Sequence, residues 1–444
     1  MSSSQPHPLF GQWLCRMSDA LHAFSAARFP RLMLGTFLAR GARTVTAWIR
    51  AAGLSSEFRP AYTTLAAAGR CTDDIAAAVA ADVVLPLART DTRRVVVAID
   101  DTPTRRYGPE VRGCGIHHNP TPGPAGSSFL YGHVWVVLAV LTAHPLWGMF
   151  ALPLLARLYV RDEDLPSIPE GERPAFRTEL QMAVEMLRWA CDHLRKPGVA
   201  LWAVADGAYA KAPVLKAAKA LGVTFVSRLR RDSALHTVPG ERPPGQRGPR
   251  RTYGEGRIDL AKRGGQKRGW TEQTFTLYGR PVTERYKTFL ATWRPAGGAI
   301  RVVLVDEPTG WVAFFCTDTS ATPAEVLGCV ADRSSLETTF REVKQQVGAG
   351  EQQVRKVAAN VGAFHACLWS YTLAEAWAWD EPAGALADRS GSPWDDPARR
   401  PSHADKRRAL KRELLREEIR ASVLGGANEA EKAAAIERIL DLAA

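Results

Sequence analysis

RVVVAID (94–100), followed at once by Asp101 and Thr102, is the stretch on which the fold turns. Its three valines run into Ala-Ile without alternating with polar residues, and such a run predicts a strand covered on both faces. It ends in two carboxylates. A buried strand that delivers acids at its end is the pattern of an open α/β sheet, whose strand ends display chemistry.

The pattern extends downstream. HVWVVLAVL (133–141) and WGMFALPLLARLYV (147–160) are two further apolar runs, parted by the turn at His144-Pro145. Short turns between consecutive strands predict an antiparallel meander. RTELQMAVEMLRWACDHL (177–194) has the spacing of an amphipathic helix, ended by Pro197-Gly198. VALWAVAD (199–206) is a second buried strand ending in an acid, followed by a helix over 211–221 and the strand VTFVSRL (223–229). Strands first and strand-helix alternation afterwards predict an α/β fold on a sheet of mixed direction.

Residues 1 to about 90 read as helical. GTFLARGARTVTAWIRAAGL (35–54) fits either a helix-turn-helix whose second helix enters a DNA major groove or a plain helical hairpin with solvated arginines. Residues 231–319 read as loops around the strands 275–280, 286–293, 299–305 and 311–318. Helices are expected over 324–347, with a possible break, and over 355–379. A Pro/Gly/Asp/Ser linker (380–402) and two charged helices (404–423 and 427–443) follow. No internal repeat is present.

Composition narrows the function classes. The 444 residues are 46% hydrophobic and 23% charged, which suits a soluble chain of two or three domains. The net charge of +12 favours a polyanionic partner, nucleic acid above all. Segment 228–268 carries twelve Lys or Arg against four Asp or Glu, so two thirds of that charge sits in a tenth of the chain, as a phosphate-contacting surface requires. Seven cysteines are scattered singly, which predicts reduced thiols and no zinc site. The N-terminus has no signal-peptide pattern, and the apolar stretch 134–155 is broken by His144 and Pro145, so no membrane span is expected. A cytoplasmic, nucleoid-associated protein is the consequence.

Three acids stand apart from surface decoration. Asp101 and Asp206 close buried strands. Asp100 has the same claim as Asp101, but side chains alternate faces along a strand, so only one of the two can serve a common site. Glu337 lies in DRSSLETTFREVKQQVGAG (332–350), where Leu336, Phe340, Val343 and Val347 form an apolar stripe beside a stripe of Arg333, Glu337, Arg341 and Lys344. Taken alone, alternating charges on one helix face are usually a solvated ladder that contributes only tenths of a kcal/mol per pair; the chemistry open to three carboxylates is what sets Glu337 apart. Three carboxylates can hold two divalent ions that cleave a phosphodiester, and the flanking cations would then seat DNA phosphates.

At these residues the chain resembles the bacterial insertion-sequence transposases of the DDE superfamily, in the branch with a Tyr-x2-Arg-x3-Glu-x6-Lys signature. Arg333, Glu337 and Lys344 match its last three positions, and Val330 stands where the tyrosine is expected. VGAGEQQVR (347–355), the Asp-Thr step at Asp101-Thr102 and the turn Asp206-Gly207-Ala208-Tyr209 also resemble the family, so the resemblance covers roughly 94–355. That step is why Asp101 is preferred over Asp100.

The resemblance implies an RNase H-like catalytic core over 91–230 and 320–380. A basic, β-rich insertion domain (231–319) would fill the 131-residue gap from Asp206 to Glu337. Residues 1–90 would be a helical DNA-binding domain, and 381–444 a linker with C-terminal helices. It implies two Mg2+ ions (with Mn2+ as a substitute) on Asp101, Asp206 and Glu337, phosphate contacts from Arg333, Arg341 and Lys344, and Trp311 stacking on a flipped base. The partners would be double-stranded transposon ends and target DNA, bound by a homodimer in a synaptic complex. The implied activity is cut-and-paste transposition; a hydrolysis-only nuclease and an inactive, transposase-derived DNA-binding protein are the alternatives. His117, His118 and His133 lie near the first acid in sequence and are read as unspecific polar positions.

Overall fold

A computed structural model describes residues 8–88, 94–119, 126–240, 242, 247–392, 394–424, 432, 433 and 436. The chain opens on helices: α1 (Pro8–Ser18), α2 (Ala23–Ala26), α3 (Phe29–Leu38), α4 (Val45–Ala51), α5 (Phe58–Arg70), α6 (Thr72–Val79) and α7 (Leu85–Leu87). Gly41 takes a left-handed φ of 63° between α3 and α4, a conformation glycine adopts without a steric penalty. Thr44 caps α4 by accepting the Ala47 amide. That helix has only 7 residues and buries Val45, Trp48, Ile49 and Ala51, so Thr46 and Arg50 are what it offers to solvent.

The strands follow: β1 (Arg94–Arg105), β2 (Gly115–His118), β3 (Phe129–His144), β4 (Gly148–Tyr159), then α8 (Glu179–Leu194), β5 (Ala200–Ala205), α9 (Ala212–Ala220) and β6 (Thr224–Leu229). β4, β3 and β1 are the antiparallel meander, and β5 and β6 continue it in parallel with β1. The mixed sheet is therefore as expected. β2 was not foreseen, because the Gly/Pro-rich stretch around it reads as loop; it pairs the first residues of β3.

Beyond β6 lie β7 (Leu235–His236), β8 (Arg257–Ile258), α10 (Leu260–Gly265), β9 (Thr271–Leu277), β10 (Arg280–Trp293), β11 (Gly298–Glu307) and β12 (Gly310–Cys316). β12 pairs antiparallel with β6, so these strands extend the same sheet. One strand expectation is corrected. FTLYGR (275–280) is not a strand but the end of one and the start of the next. Tyr278 and Gly279 both take positive φ (54° and 73°), the two-residue hairpin geometry. The apolar Leu-Tyr pair hid the turn, since a tyrosine rarely adopts that conformation.

The C-terminal part is helical: α11 (Pro323–Glu342), α12 (Val357–Trp377), α13 (Ala383–Leu386) and α14 (His403–Leu424). α11 starts with a capping box between Thr322 and Glu325 and passes into one wider π turn at Val343–Val347, so the helix expected over 324–347, with a possible break, changes form over its last five residues. Of the helix expected over 427–443 only residues 432, 433 and 436 are described, and they are helical; the rest lies outside the described residues.

The buried cluster runs from Phe10 to Leu410 without interruption. α12 is its centre: nearly every residue is buried, and Trp135 of β3 stacks on its Phe364 with ring centroids 4.1 Å apart. α5 crosses α12 at a glycine pair. A Cβ on Gly69 would lie 1.8 Å from the Ala358 carbonyl oxygen, and one on Gly362 2.0 Å from that of Leu65. Backbone cannot yield as a side chain does, so Gly69→Ala is expected to cost at least ~1–3 kcal/mol, the range for overpacking. Urea unfolding measures it, and a variant as stable as the parent would refute the close crossing.

Candidate functional site

β5 stops at Ala205, in register with Ile99, whereas β1 runs on to Arg105 with β3 alone beside it. The vacant flank of β1 is a notch, roofed by the second half of α11 and by the loop after it. It forms a cleft of about 890 Å³ lined by Asp100, Asp101, Asp206, Arg333, Glu337, Arg341 and Lys344, among others. All three acids singled out in the sequence meet there, together with all three expected phosphate-seating cations.

Each carboxylate arrives differently. Asp100 and Asp101 diverge, as alternation demands. Asp100 turns to α11, where it forms a close ion pair with Arg333. Burial raises its carboxyl to about 7, and Arg333 opposes that rise. Asp101 is raised by burial and by Asp206, while Lys344 pulls it down. Lys344 is itself shifted: burial lowers its ammonium to about 8 against the pull of Asp101. Asp206 is exposed at the end of β5, and its carbonyl accepts the Tyr209 amide at 3.0 Å, closing the turn seen in the sequence. Glu337 projects from α11 with its side chain 64% exposed and accepts from Arg333 at 3.3 Å.

Two groups that pattern reading missed complete the surroundings. Glu179, the first residue of α8, has its carboxyl raised by burial and by Asp101. Tyr209 is 2% exposed, yet its hydroxyl has no hydrogen-bond partner. Burial drives that hydroxyl upward, and Asp101, Glu179, Asp100 and Asp206 add to the effect. The Asp-x-x-Tyr turn marked the tyrosine, but only the fold shows an orphaned hydroxyl amid four carboxylates. Repelling carboxylates beside an unsatisfied hydroxyl are what hard cations and their waters relieve, and oxygen donors suit Mg2+. The residues therefore fit divalent ions.

The three carboxylates do not converge on a single point. Among the described residues, the cluster with ligating atoms within 4.8 Å of one another is Glu342, Glu375 and His403, outside this cleft. It already holds a cation: Glu375 accepts from His403 Nδ1 at 2.7 Å and closely from Lys406.

The remaining expectations sort by place. Trp311 does not line the cleft. Its ring packs on Gly264, where an added Cβ would lie 2.5 Å from Nε1, and Arg231 sits 5.0 Å from the ring centre. Val330 packs half-buried against the core. His133 is fully buried, accepts from Arg106 at 3.2 Å and is lowered to about 3 by burial, so it stays neutral and structural. His117 and His118 do not line the cleft either. All seven cysteines are free thiols. Arg106, passed over in the sequence, also donates to the Gly350 carbonyl (2.8 Å) and to Asn360 (3.0 Å), tying the end of β1 to the loop after α11 and to α12.

The expectation that Asp101 closes its strand is corrected: β1 stays paired with β3 through Asp100 and Asp101 as far as Arg105, so these acids stand mid-strand beside the point where β5 stops, and only Asp206 follows the end of its strand. Carboxylates on two adjacent strands, with a third on the helix above, can hold divalent ions, and comparison with known families bears on their use. The family described as DDE superfamily endonuclease matches residues 16–296, well over half of the chain. The chain belongs to that family. No curated protein matches it. Membership makes DNA the substrate of this endonuclease. The matched region holds Asp101 and Asp206 and stops short of α11, which carries Glu337. No described helix is long and apolar enough to cross a membrane.

Proposed function

We propose that this DDE endonuclease is a cut-and-paste DNA transposase of the insertion-sequence type, and that Asp101, Asp206 and Glu337 are its metal-holding trio. That these acids line one cleft together with Arg333, Arg341 and Lys344 supports the reading most. The strand order β4-β3-β1-β5-β6, antiparallel and then parallel, supports an RNase H-like core. The strands from β7 to β12 would be its β-rich insertion, residues 1–90 and the C-terminal helices would bind the terminal repeats, and the active species would be a homodimer on DNA.

Two Mg2+ ions held by the trio would activate the attacking oxygen and stabilise the leaving one. The protein's own groups do the rest. Arg333 holds Asp100 to one side and leaves Asp101 turned toward Asp206. Exposed Arg341 and the more buried Lys344 stand where a phosphate's charge would sit, and Lys344, lowered to about 8, gains from any anion that seats beside it. Water is the nucleophile for the first nick, and the freed 3′-hydroxyl for the attack that follows.

The deciding assay combines the protein, Mg2+ and DNA carrying the element's ends. Strand transfer supports transposition, hydrolysis without joining supports a simple nuclease, and binding without cleavage supports an inactive descendant. A second measurement needs no activity. Mg2+ at 100 times its dissociation constant is expected to stabilise the fold by about 2.7 kcal/mol, as ligand binding to the native state requires. Asp101→Ala should remove most of that gain, and an equal gain in the variant would exclude Asp101 as a ligand.

A further inference from the structure

The cleft carries one carboxylate that metal binding does not use. Glu351, on the loop between the π turn and α12, lines it together with Arg341 and Lys344. Of the other acids there, Asp100 is taken by Arg333, and Asp101, Asp206 and Glu337 are the metal-holding trio. Glu351 is left over. A carboxylate in a cleft that must receive phosphate repels its own substrate unless its charge is turned aside.

The group that holds it comes from the other end of the chain. The Arg43 amide donates to Glu351 Oε2 at 3.0 Å, and the Arg43 guanidinium lies 3.8 Å from Oε1. Arg43 stands in the turn between α3 and α4, within the stretch that reads as a helix-turn-helix or a plain hairpin. Its stem packs on Gly348, where an added Cβ would lie 2.5 Å from Arg43 Cβ and Cδ. Gln352, fully buried, fixes the loop around that contact: it accepts the Gly350 amide at 2.9 Å and donates to the Gly348 carbonyl at 2.5 Å. The N-terminal turn and this wall of the cleft are therefore packed together. We propose that Arg43 is a positioning residue for the cleft: it draws the Glu351 carboxylate toward the N-terminal helices and away from the phosphate path marked by Arg341 and Lys344. Without the guanidinium, the Glu351 charge turns back toward the incoming phosphate. The inference rests on the DNA-cleaving reading of the cleft.

The test uses the full chain and measures equilibrium affinity for a fluorescent DNA duplex in Ca2+, then single-turnover cleavage in Mg2+. Arg43→Met keeps an unbranched stem on Gly348 and removes the charge. It is expected to weaken duplex binding roughly 3- to 10-fold, the effect of one like charge about 7 Å from a phosphate in a partly solvated cleft. The half-saturating DNA concentration for cleavage should rise by the same factor, with the maximal rate unchanged. Glu351→Gln should bind at least as tightly as the parent. Arg43→Met/Glu351→Gln should return to parental affinity, because no acid remains to be held. A variant weakened by misfolding would not be rescued in this way. If Arg43 touched a phosphate itself, the double variant would bind as weakly as Arg43→Met, and the positioning role would be refuted. Parental affinity in Arg43→Met would refute it as well. Failure of the parent to bind the duplex would overturn the reading of the cleft, whereas a parent that binds and a double variant that is not rescued overturn the role of Arg43 alone.

Discussion

Replacing Asp101, Asp206 or Glu337 singly with alanine is expected to lower Mg2+-dependent DNA cleavage by roughly 10³-fold or more. A bound divalent ion contributes several kcal/mol of transition-state stabilisation, and each ~1.4 kcal/mol is tenfold in rate. DNA affinity should hold or rise, because each change removes a negative charge from a cleft that must take up phosphate. The measurement is a single-turnover cleavage rate beside an equilibrium binding curve. A variant that cleaves at the parental rate removes its residue from the site.

Asp100 is the control that gives the experiment its force. It lines the same cleft and is covalently adjacent to Asp101, so a loose electrostatic role would make the two interchangeable. The geometry separates them. Asp100 is taken up by Arg333, whereas Asp101 is pressed by Asp206 and drawn by Lys344. Asp100→Asn is therefore expected to weaken the fold and to misplace Arg333 while leaving substantial cleavage. If instead Asp100→Asn abolished cleavage and Asp101→Asn spared it, the two roles would be exchanged. Arg333 would then be clamping a metal ligand rather than a neighbour.

This pair also shows how far the sequence carries. RVVVAID declared its strand because an apolar run tolerates little else, but not where it stops: the strand stays paired with β3 through Asp100 and Asp101 to Arg105, and what leaves the two acids open is the earlier end of β5 beside them. The register of Glu337 with Arg333 and Lys344 was legible as one helix stripe, and all three line the same cleft. The choice between Asp100 and Asp101 rested on resemblance, since alternation says only that the two diverge. The fold resolves where each one goes. The orphaned Tyr209 hydroxyl and the nearness of Glu179 to Asp101 depend on where a helix N-terminus lands against a strand 78 residues before it in the chain. No local pattern encodes that. The Tyr278-Gly279 turn was missed for the opposite reason: a local conformation there overrides what the side chain prefers.

The largest effect on stability is expected far from the cleft, at Glu375 and Lys406. Both are 1% exposed, and they form a close ion pair between α12 and α14. His403 of α14 donates to the second oxygen of Glu375 at 2.7 Å. The Lys406 ammonium also lies 4.6 Å from the Trp147 ring centre and 4.4 Å from that of Phe150. Burial works against the Glu375 charge, but Lys406 and then His403 outweigh it and hold the carboxyl down to about 2. Removing one member strands the other as a buried charge. Glu375→Ala and Lys406→Ala should each cost about 3–5 kcal/mol, whereas Glu375→Met/Lys406→Met should cost far less than the two combined. The pH dependence follows from the direction of the shift. A carboxyl lowered by folding stabilises the protein above its ordinary range near 4.5, and that contribution is lost as pH falls from there toward 2. Glu375→Gln should flatten the urea-unfolding profile across that window. Glu375 of the Glu342, Glu375 and His403 cluster already holds the Lys406 ammonium, so in Mg2+-free buffer a chelator should leave unfolding unchanged. A Lys406→Met chain as stable as its parent would mean that α14 is held on α12 by its apolar contacts alone.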